Sequence, residues 1–300
     1  MARYPLSVKD DRALPSGSTE AVFVWDVDKT YLSTRFSSLK HLARIPVEFA
    51  VDKRAIPGMP EVLRGLRRGA GPQFACAPLY FISASPSQLR GVLEKKMLID
   101  GVDCDGIILK DWAATLRELR PGRLREQVGF KLCALLTGRL RRPMCTEYLF
   151  GDDVEADADS YGLYARLLAG ELAEGALEAA LGSRGVKPDD RRCILDLAGQ
   201  LGPAHGRVAR AFIHLERGSD PRAFARLGEL VVPVRGAYQL ALALFELGLV
   251  DLRTVREAVA ALRSTPFFAL PDLDELESDA VGRGLISREK LRASWCSTGR

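Results

Sequence analysis

Hydrophobic and polar positions fall into short alternating blocks along the first half of the chain. Ala21 to Trp25 is an apolar run, rich in β-branched and aromatic residues, too short for a core helix and preceded by the turn-like Pro15-Ser16-Gly17-Ser18. It predicts a buried strand, and it ends in Asp26 and Asp28, with Thr30 two further on. Pro57-Gly58-Met59-Pro60 predicts a turn, followed by a helix with Val62, Leu63 and Leu66 inward and Arg64, Arg67 and Arg68 outward. Pro78 to Ser85 predicts a second strand, and Pro86 to Leu98 an amphipathic helix opened by its proline. Gly106 to Leu109 and Glu147 to Phe150 predict two more strands, flanking a helix over Arg125 to Leu140. Strands alternating with helices mean a parallel sheet with right-handed crossovers, a doubly wound α/β architecture.

From about Ala165 the pattern changes. Helical stripes follow one another, Leu195 with Leu197 and Leu201, Val208 with Ala211 and Phe212, Leu240 with Leu244 and Leu247, Val255 with Val259 and Leu262, and no further strand is expected. The predicted organisation is an N-terminal extension over 1–20, an α/β domain over 21–169 and an all-helical domain over 170–300. Between Thr30 and Ser83, residues 31–56 carry Phe36, Leu39, Leu42 and Ile45 at helical spacing, which suits a short cap.

Composition narrows the class. The chain has 300 residues, 47% of them hydrophobic, enough for a sizeable core, and a net charge of +4 that argues against nucleic-acid coating by bulk charge. Six cysteines form no CxxC pair, which reads as reduced thiols in a cytoplasmic protein. No export signal is evident at the N-terminus, and the most apolar window, Ala237 to Val250, is broken by Gln239, Glu246 and Gly248, so a buried helix is expected there rather than a membrane span.

The candidate chemistry gathers at strand ends. Two carboxylates as close as Asp26 and Asp28 repel unless a cation or a shared proton separates them, so the stretch asks for a metal or for acid/base work. Ser83 in ISASP, Lys131 in GFKLCAL and Asp152 in FGDDVEADAD are further polar stations. Their order and spacing resemble the haloacid dehalogenase superfamily of phosphoryl-transfer enzymes, with DVDKT as the first motif, Ser83 the second, Lys131 the third, and Asp152 with Asp153 or Asp157 the fourth. PGMPEVLRGL, LYFISASPSQL, ILKDW and GDDVEADADSY are similar, more narrowly, to the catalytic domain of the actin-patch-associated phosphatidate phosphatases, over about residues 20–165.

Phosphoryl transfer needs a nucleophile, neutralised oxygens and an acid for the leaving group. Asp26 is the expected nucleophile, and Asp28, on the same side of the extended chain, the general acid and base. Mg²⁺ would lie between Asp26 and Asp152, with water and the Asp28 main-chain carbonyl completing its shell as the resemblance implies. Ser83 and Lys131 would hold phosphoryl oxygens, with Lys110 the rival lysine, and Thr30 would bind substrate or fix the loop. Asp153 or Asp157 would orient Lys131 and the metal's water. Arg117, Arg120, Arg123 and Arg125 are either a solvated charge run or an attractor for an anionic headgroup. His41, His205 and His214 are expected to be ordinary surface or core residues.

The expected activity is Mg²⁺-dependent phosphomonoester hydrolysis through an aspartyl-phosphate, with a phosphorylated substrate such as a lipid headgroup at a peripheral membrane surface. A soluble metabolite or a phosphoprotein is the alternative substrate. A non-catalytic scaffold with a helical partner-binding domain is the alternative of another class. Two departures from the resemblance stand out. Lys29 occupies the position where the related enzymes commonly carry aspartate, and helix is expected after Ala165 where they continue into another strand.

Overall fold

The computed structural model describes residues 4–33, 54–117, 127–202, 204–265 and 272–296. Strand β1 spans Leu6–Asp10, β2 Ala21–Asp26, β3 Leu79–Pro86, β4 Gly106–Lys110, β5 Thr146–Asp152, β6 Val208–His214 and β7 Val231–Val234. They form one sheet in the order β1-β4-β3-β2-β5-β6-β7. The run from β4 to β7 is parallel, and β1 pairs antiparallel with β4, so the sheet is mixed. The 1–20 extension therefore supplies an edge strand.

Helix α1 (Met59–Arg68) follows the turn at Gly58, whose φ of 84° suits glycine. Helices α2 (Arg90–Ile99) and α4 (Val128–Arg141) alternate with strands β3 to β5 as the sequence predicts, and α3 (Trp112–Arg117) and α5 (Asp157–Leu168) add to them. Beyond them come α6 (Glu174–Ser183), α7 (Pro188–Ala198), α8 (Ala237–Glu246), α9 (Leu252–Ser264), α10 (Leu273–Gly282) and α11 (Arg288–Cys296). The expectation of an all-helical 170–300 stretch is corrected here, because β6 and β7 lie in it and extend the same parallel sheet. Val208, Ala211 and Phe212 are strand residues, not a helical stripe. Of the 31–56 stretch read as a cap, residues 34–53, which include Phe36, Leu39, Leu42 and Ile45, lie outside the described residues, as do Arg120, Arg123 and Arg125.

Alternation along the strands builds two cores. Phe23 and Trp25 of β2 join Phe150, Phe212 and the inner faces of α1, α8 and α9 on one side. Val22 and Val24 join Leu149, Ala211, Ile213 and the inner faces of α4, α5 and α7 on the other. Trp25, Phe150 and Phe212 stack in a row across three strands, with ring centroids 4.1 and 5.2 Å apart. Each such pair adds about 0.5–1.5 kcal/mol beyond area burial. Gly65 of α1 lets α9 approach: an added Cβ would meet the Thr254 side chain at 2.2 Å. At the β7 edge, Pro233 offers no N–H and its carbonyl accepts from Arg283, which blunts that edge against further strands. Among the described residues no helix is long and apolar enough to cross a membrane.

Candidate active site

The chain winds outward from β2 to β3 and β4, then returns past β2 to lay down β5, β6 and β7. The order reverses between β2 and β5, and the crevice beyond the carboxyl ends of those strands is where such sheets bind ligands. Asp26 is the last residue of β2 and Asp152 the last of β5, and both are buried. The acids thus stand at the reversal point.

Lys131 of α4 reaches this point from the covered face. It is fully buried, its ammonium hydrogen-bonds Asp26 Oδ1, and it pairs with Asp157 Oδ1 at 2.7 Å. Asp157, the first residue of α5, also accepts the Asp152 N–H through Oδ2 at 3.1 Å. Gly151 makes room for it, since a Cβ there would lie 2.4 Å from Asp157 Oδ2. Asp152 Oδ1 accepts the N–H groups of Val154 and Glu155 at 2.6 and 2.8 Å, which folds the loop back and brings Glu155 inward.

The other stations sit around this core. Asp28 Oδ2 accepts from Ser83 Oγ at 2.8 Å and from Ser85 Oγ at 3.0 Å. Trp112, at the start of α3, donates its indole N–H to Ala84 O and so holds that end of β3. The loop after Asp26 is closed by its own backbone, Tyr31 N–H and Leu32 N–H to Val27 O and Lys29 N–H to Leu32 O. Thr30 is buried, and its hydroxyl has no hydrogen-bond partner among the described residues. Asp153 turns away from Lys131: its carboxylate accepts the N–H groups of Arg217 and Ser219 in the turn after β6. Of the two aspartates expected beside the lysine, Asp157 makes the contact. Lys110 is buried with its ammonium 5.4 Å from the centre of the Phe130 ring.

Charge is crowded here. Asp26, Asp152, Glu155 and Asp157 all feel the Lys131 ammonium, so four carboxylates crowd around it. Burial pushes Asp26 well above the usual carboxylate range, and the neighbouring acids add to it against the opposing pull of Lys131. Burial, reinforced by the charges of Asp157 and Glu155, raises Asp152 to about 7. Burial raises Glu155 to about 7, with Lys131 opposing. Burial would discharge Lys131, but Asp157 and Asp26 outweigh it and hold the ammonium well above its ordinary value.

Asp26, Asp152 and Glu155 bring carboxylate oxygens within 4.8 Å of one another. Asp26 Oδ2, Asp152 Oδ2 and Glu155 Oε2 are buried with no hydrogen-bond partner among the described residues. Orphaned anionic oxygens facing one another are costly unless a cation joins them. An all-oxygen set of this kind fits a small hard divalent cation. The sequence reading lacked Glu155, although it lies in the quoted GDDVEADADSY string. It also lacked Ser85, which the alternation of strand side chains places on the side of Ser83.

Residues 21–173, just over half of the chain, match the family model for the catalytic domain of phosphatidate phosphatase APP1. The chain belongs to that family. It is a phosphatase of the phosphatidate-phosphatase-like kind, and the match spans Asp26, Ser83, Lys131, Asp152, Glu155 and Asp157. Neither a curated protein nor a solved structure gave a match. Strands β6 and β7 lie beyond the matched residues.

Proposed function

We propose that this phosphatase is a Mg²⁺-dependent phosphomonoester hydrolase of haloacid dehalogenase type, carried by residues 21–169, that works through an aspartyl-phosphate on Asp26. The observation that carries this reading is the set of three orphaned carboxylate oxygens beside the Lys131–Asp26 pair. Asp26, Asp152 and Glu155 would hold the cation, with the Asp28 carbonyl as a further ligand. Bound Mg²⁺ supplies neutralisation of the phosphoryl oxygens as charge shifts in the transition state.

The chain's own groups account for the remaining steps. Asp26 attacks phosphorus through one carboxylate oxygen as the ester P–O bond breaks, while its other oxygen would face the cation. Asp28, held by Ser83 and Ser85, gives its proton to the leaving oxygen. It then takes a proton from the water that attacks the aspartyl-phosphate, which releases inorganic phosphate and restores Asp26. Lys131 stabilises the equatorial oxygens, Asp157 fixes the lysine in place, and Ser83, whose single hydroxyl hydrogen goes to Asp28 in this structure, would turn it to a phosphoryl oxygen on substrate binding. Family membership favours a phosphatidate-like lipid presented to a cytoplasmic protein at a membrane surface.

The test is hydrolysis of an aryl phosphate by wild type and by Asp26→Asn, each with Mg²⁺ and with EDTA. Turnover by wild type should need the metal, and Asp26→Asn should lose at least about a thousandfold in kcat, as for removal of other covalent nucleophiles. Turnover that survives in the variant overturns the mechanism. Phosphatidate in mixed micelles, compared with soluble phosphoesters by kcat/KM, then separates lipid from metabolite substrates.

A further inference from the structure

We infer that His214, outside the family-matched residues, is a positioning residue that clamps the Asp26–Thr30 loop against the loop of Asp152. The inference rests on the phosphatase reading above. His214 ends β6 directly beside the site, with Asp152 of β5 as its register partner. Its main-chain carbonyl accepts the Asp153 N–H at 3.0 Å, and its ring Nδ1 lies 2.9 Å from the main-chain oxygen of Lys29. A carbonyl only accepts, so Nδ1 carries the hydrogen and the neutral ring already makes this bond. One residue therefore touches both acid-bearing loops, one through its backbone and the other through its ring.

The first loop needs such a tie. Lys29 has φ of 63°, in the left-handed region, which costs a residue with a side chain about 1–2 kcal/mol. The loop's internal bonds use the Lys29 N–H, with Leu32 O as acceptor, while the Lys29 carbonyl takes its hydrogen from His214. Lys29 stands between Asp28 and Thr30, so relaxation of this residue toward ordinary helical angles would re-aim Asp28 away from Ser83 and Ser85. His214 itself is mostly buried, and the turn after it is pinned by Asp153 through Arg217 N–H and Ser219 N–H. The donor is thus presented from a braced strand end.

Asparagine can place an amide N–H near the position of Nδ1. Glutamine carries its amide one bond further out, and alanine leaves the carbonyl without a donor. The experiment measures kcat and KM for an aryl phosphate with Mg²⁺ in wild type, His214→Asn, His214→Gln and His214→Ala, together with amide hydrogen exchange over residues 27–32 and the unfolding midpoint of each. His214→Ala and His214→Gln should lower kcat by about ten- to a hundredfold, the scale of a catalytic group displaced by a fraction of an ångström to 1 Å. KM should stay within about twofold, because Lys131 and Ser83 are not moved. Exchange at Tyr31 and Leu32 should quicken about tenfold as the loop opens more often. His214→Asn should restore most of both.

Equal behaviour of the asparagine and glutamine variants overturns the clamp, as does unchanged kcat and exchange in His214→Ala. A kcat that merely follows the unfolding midpoint across the series overturns it too. Should wild type fail to turn over, or Asp26→Asn remain active, the functional reading fails instead, and the exchange pattern alone decides the clamp.

Discussion

Glu155→Gln removes one negative charge from a pocket where four carboxylates surround one ammonium, and its effect on stability should reverse the usual sign for a buried substitution. In the unfolded chain Glu155 titrates near 4.5; in the folded protein burial pushes it up to about 7. Below 4.5 the group is protonated in both states and costs nothing. Between 4.5 and 7 the unfolded state loses its proton first, so folding stability falls as pH rises, and the loss is complete above 7. A pKa displaced from 4.5 to about 7 corresponds to about 3 kcal/mol at pH 8, at about 1.4 kcal/mol per tenfold change. Glutamine keeps the shape and does not titrate. With an unfolding entropy of about 2.1 cal/mol/K per residue over 300 residues, that free energy equals about 5 °C in Tm.

The assay is thermal unfolding of wild type and Glu155→Gln in EDTA at pH 5 and pH 8, repeated with Mg²⁺. In EDTA the variant should melt about 5 °C higher at pH 8 and within about 1 °C at pH 5. Added Mg²⁺ should raise the wild-type midpoint by more than that of the variant, since a ligand that binds only the folded state stabilises it according to its affinity. A variant that is less stable than wild type at pH 8 in EDTA would refute the argument that Glu155 is held against charge repulsion. A variant that keeps the full Mg²⁺ response would remove Glu155 from the cation site.

Two substitutions test the supports of the site. Gly151→Ala drives a Cβ into Asp157, which must leave Lys131; we expect about 1–3 kcal/mol of destabilisation and about a hundredfold loss in kcat, measured by urea unfolding and steady-state kinetics. Normal activity in this variant would mean that Asp157 is dispensable. Glu147→Gln, at the opposite end of β5, leaves the buried Arg139 guanidinium without the carboxylate it meets at 2.6 Å. Urea unfolding should give a loss of about 3–5 kcal/mol while kcat per folded molecule is unchanged, and a loss under about 1 kcal/mol would show that the pair is replaceable.

Much of this molecule is written locally. The strand ending in Asp26, the strand carrying Ser83, the helix of Lys131 and the strand ending in Asp152 were each legible, because an apolar run closed by a turn or a polar residue is a short-range signal. Their sequence order alone led to a parallel α/β sheet. Strands β6 and β7 were not legible. VARAFIH has an arginine inside it and its apolar residues satisfy a helical stripe as well as an extended one, while VVPV is four residues long and contains proline. What makes them strands is pairing with β5 and with each other, a long-range event. The same limit applies to the site. Sequence offered Asp26, Asp28, Ser83, Lys131 and Asp152, with Asp153 or Asp157, as candidates, through their residue types and through the resemblance of their order and spacing to phosphoryl-transfer motifs. Which oxygen meets which cation depended on how the loop after β5 folds back: Asp152 draws Glu155 inward, Gly151 admits Asp157 to the lysine, and Asp153 is spent on the turn after β6. His214 reaches the Asp26–Thr30 loop across 185 positions of sequence, a distance that only the assembled sheet removes.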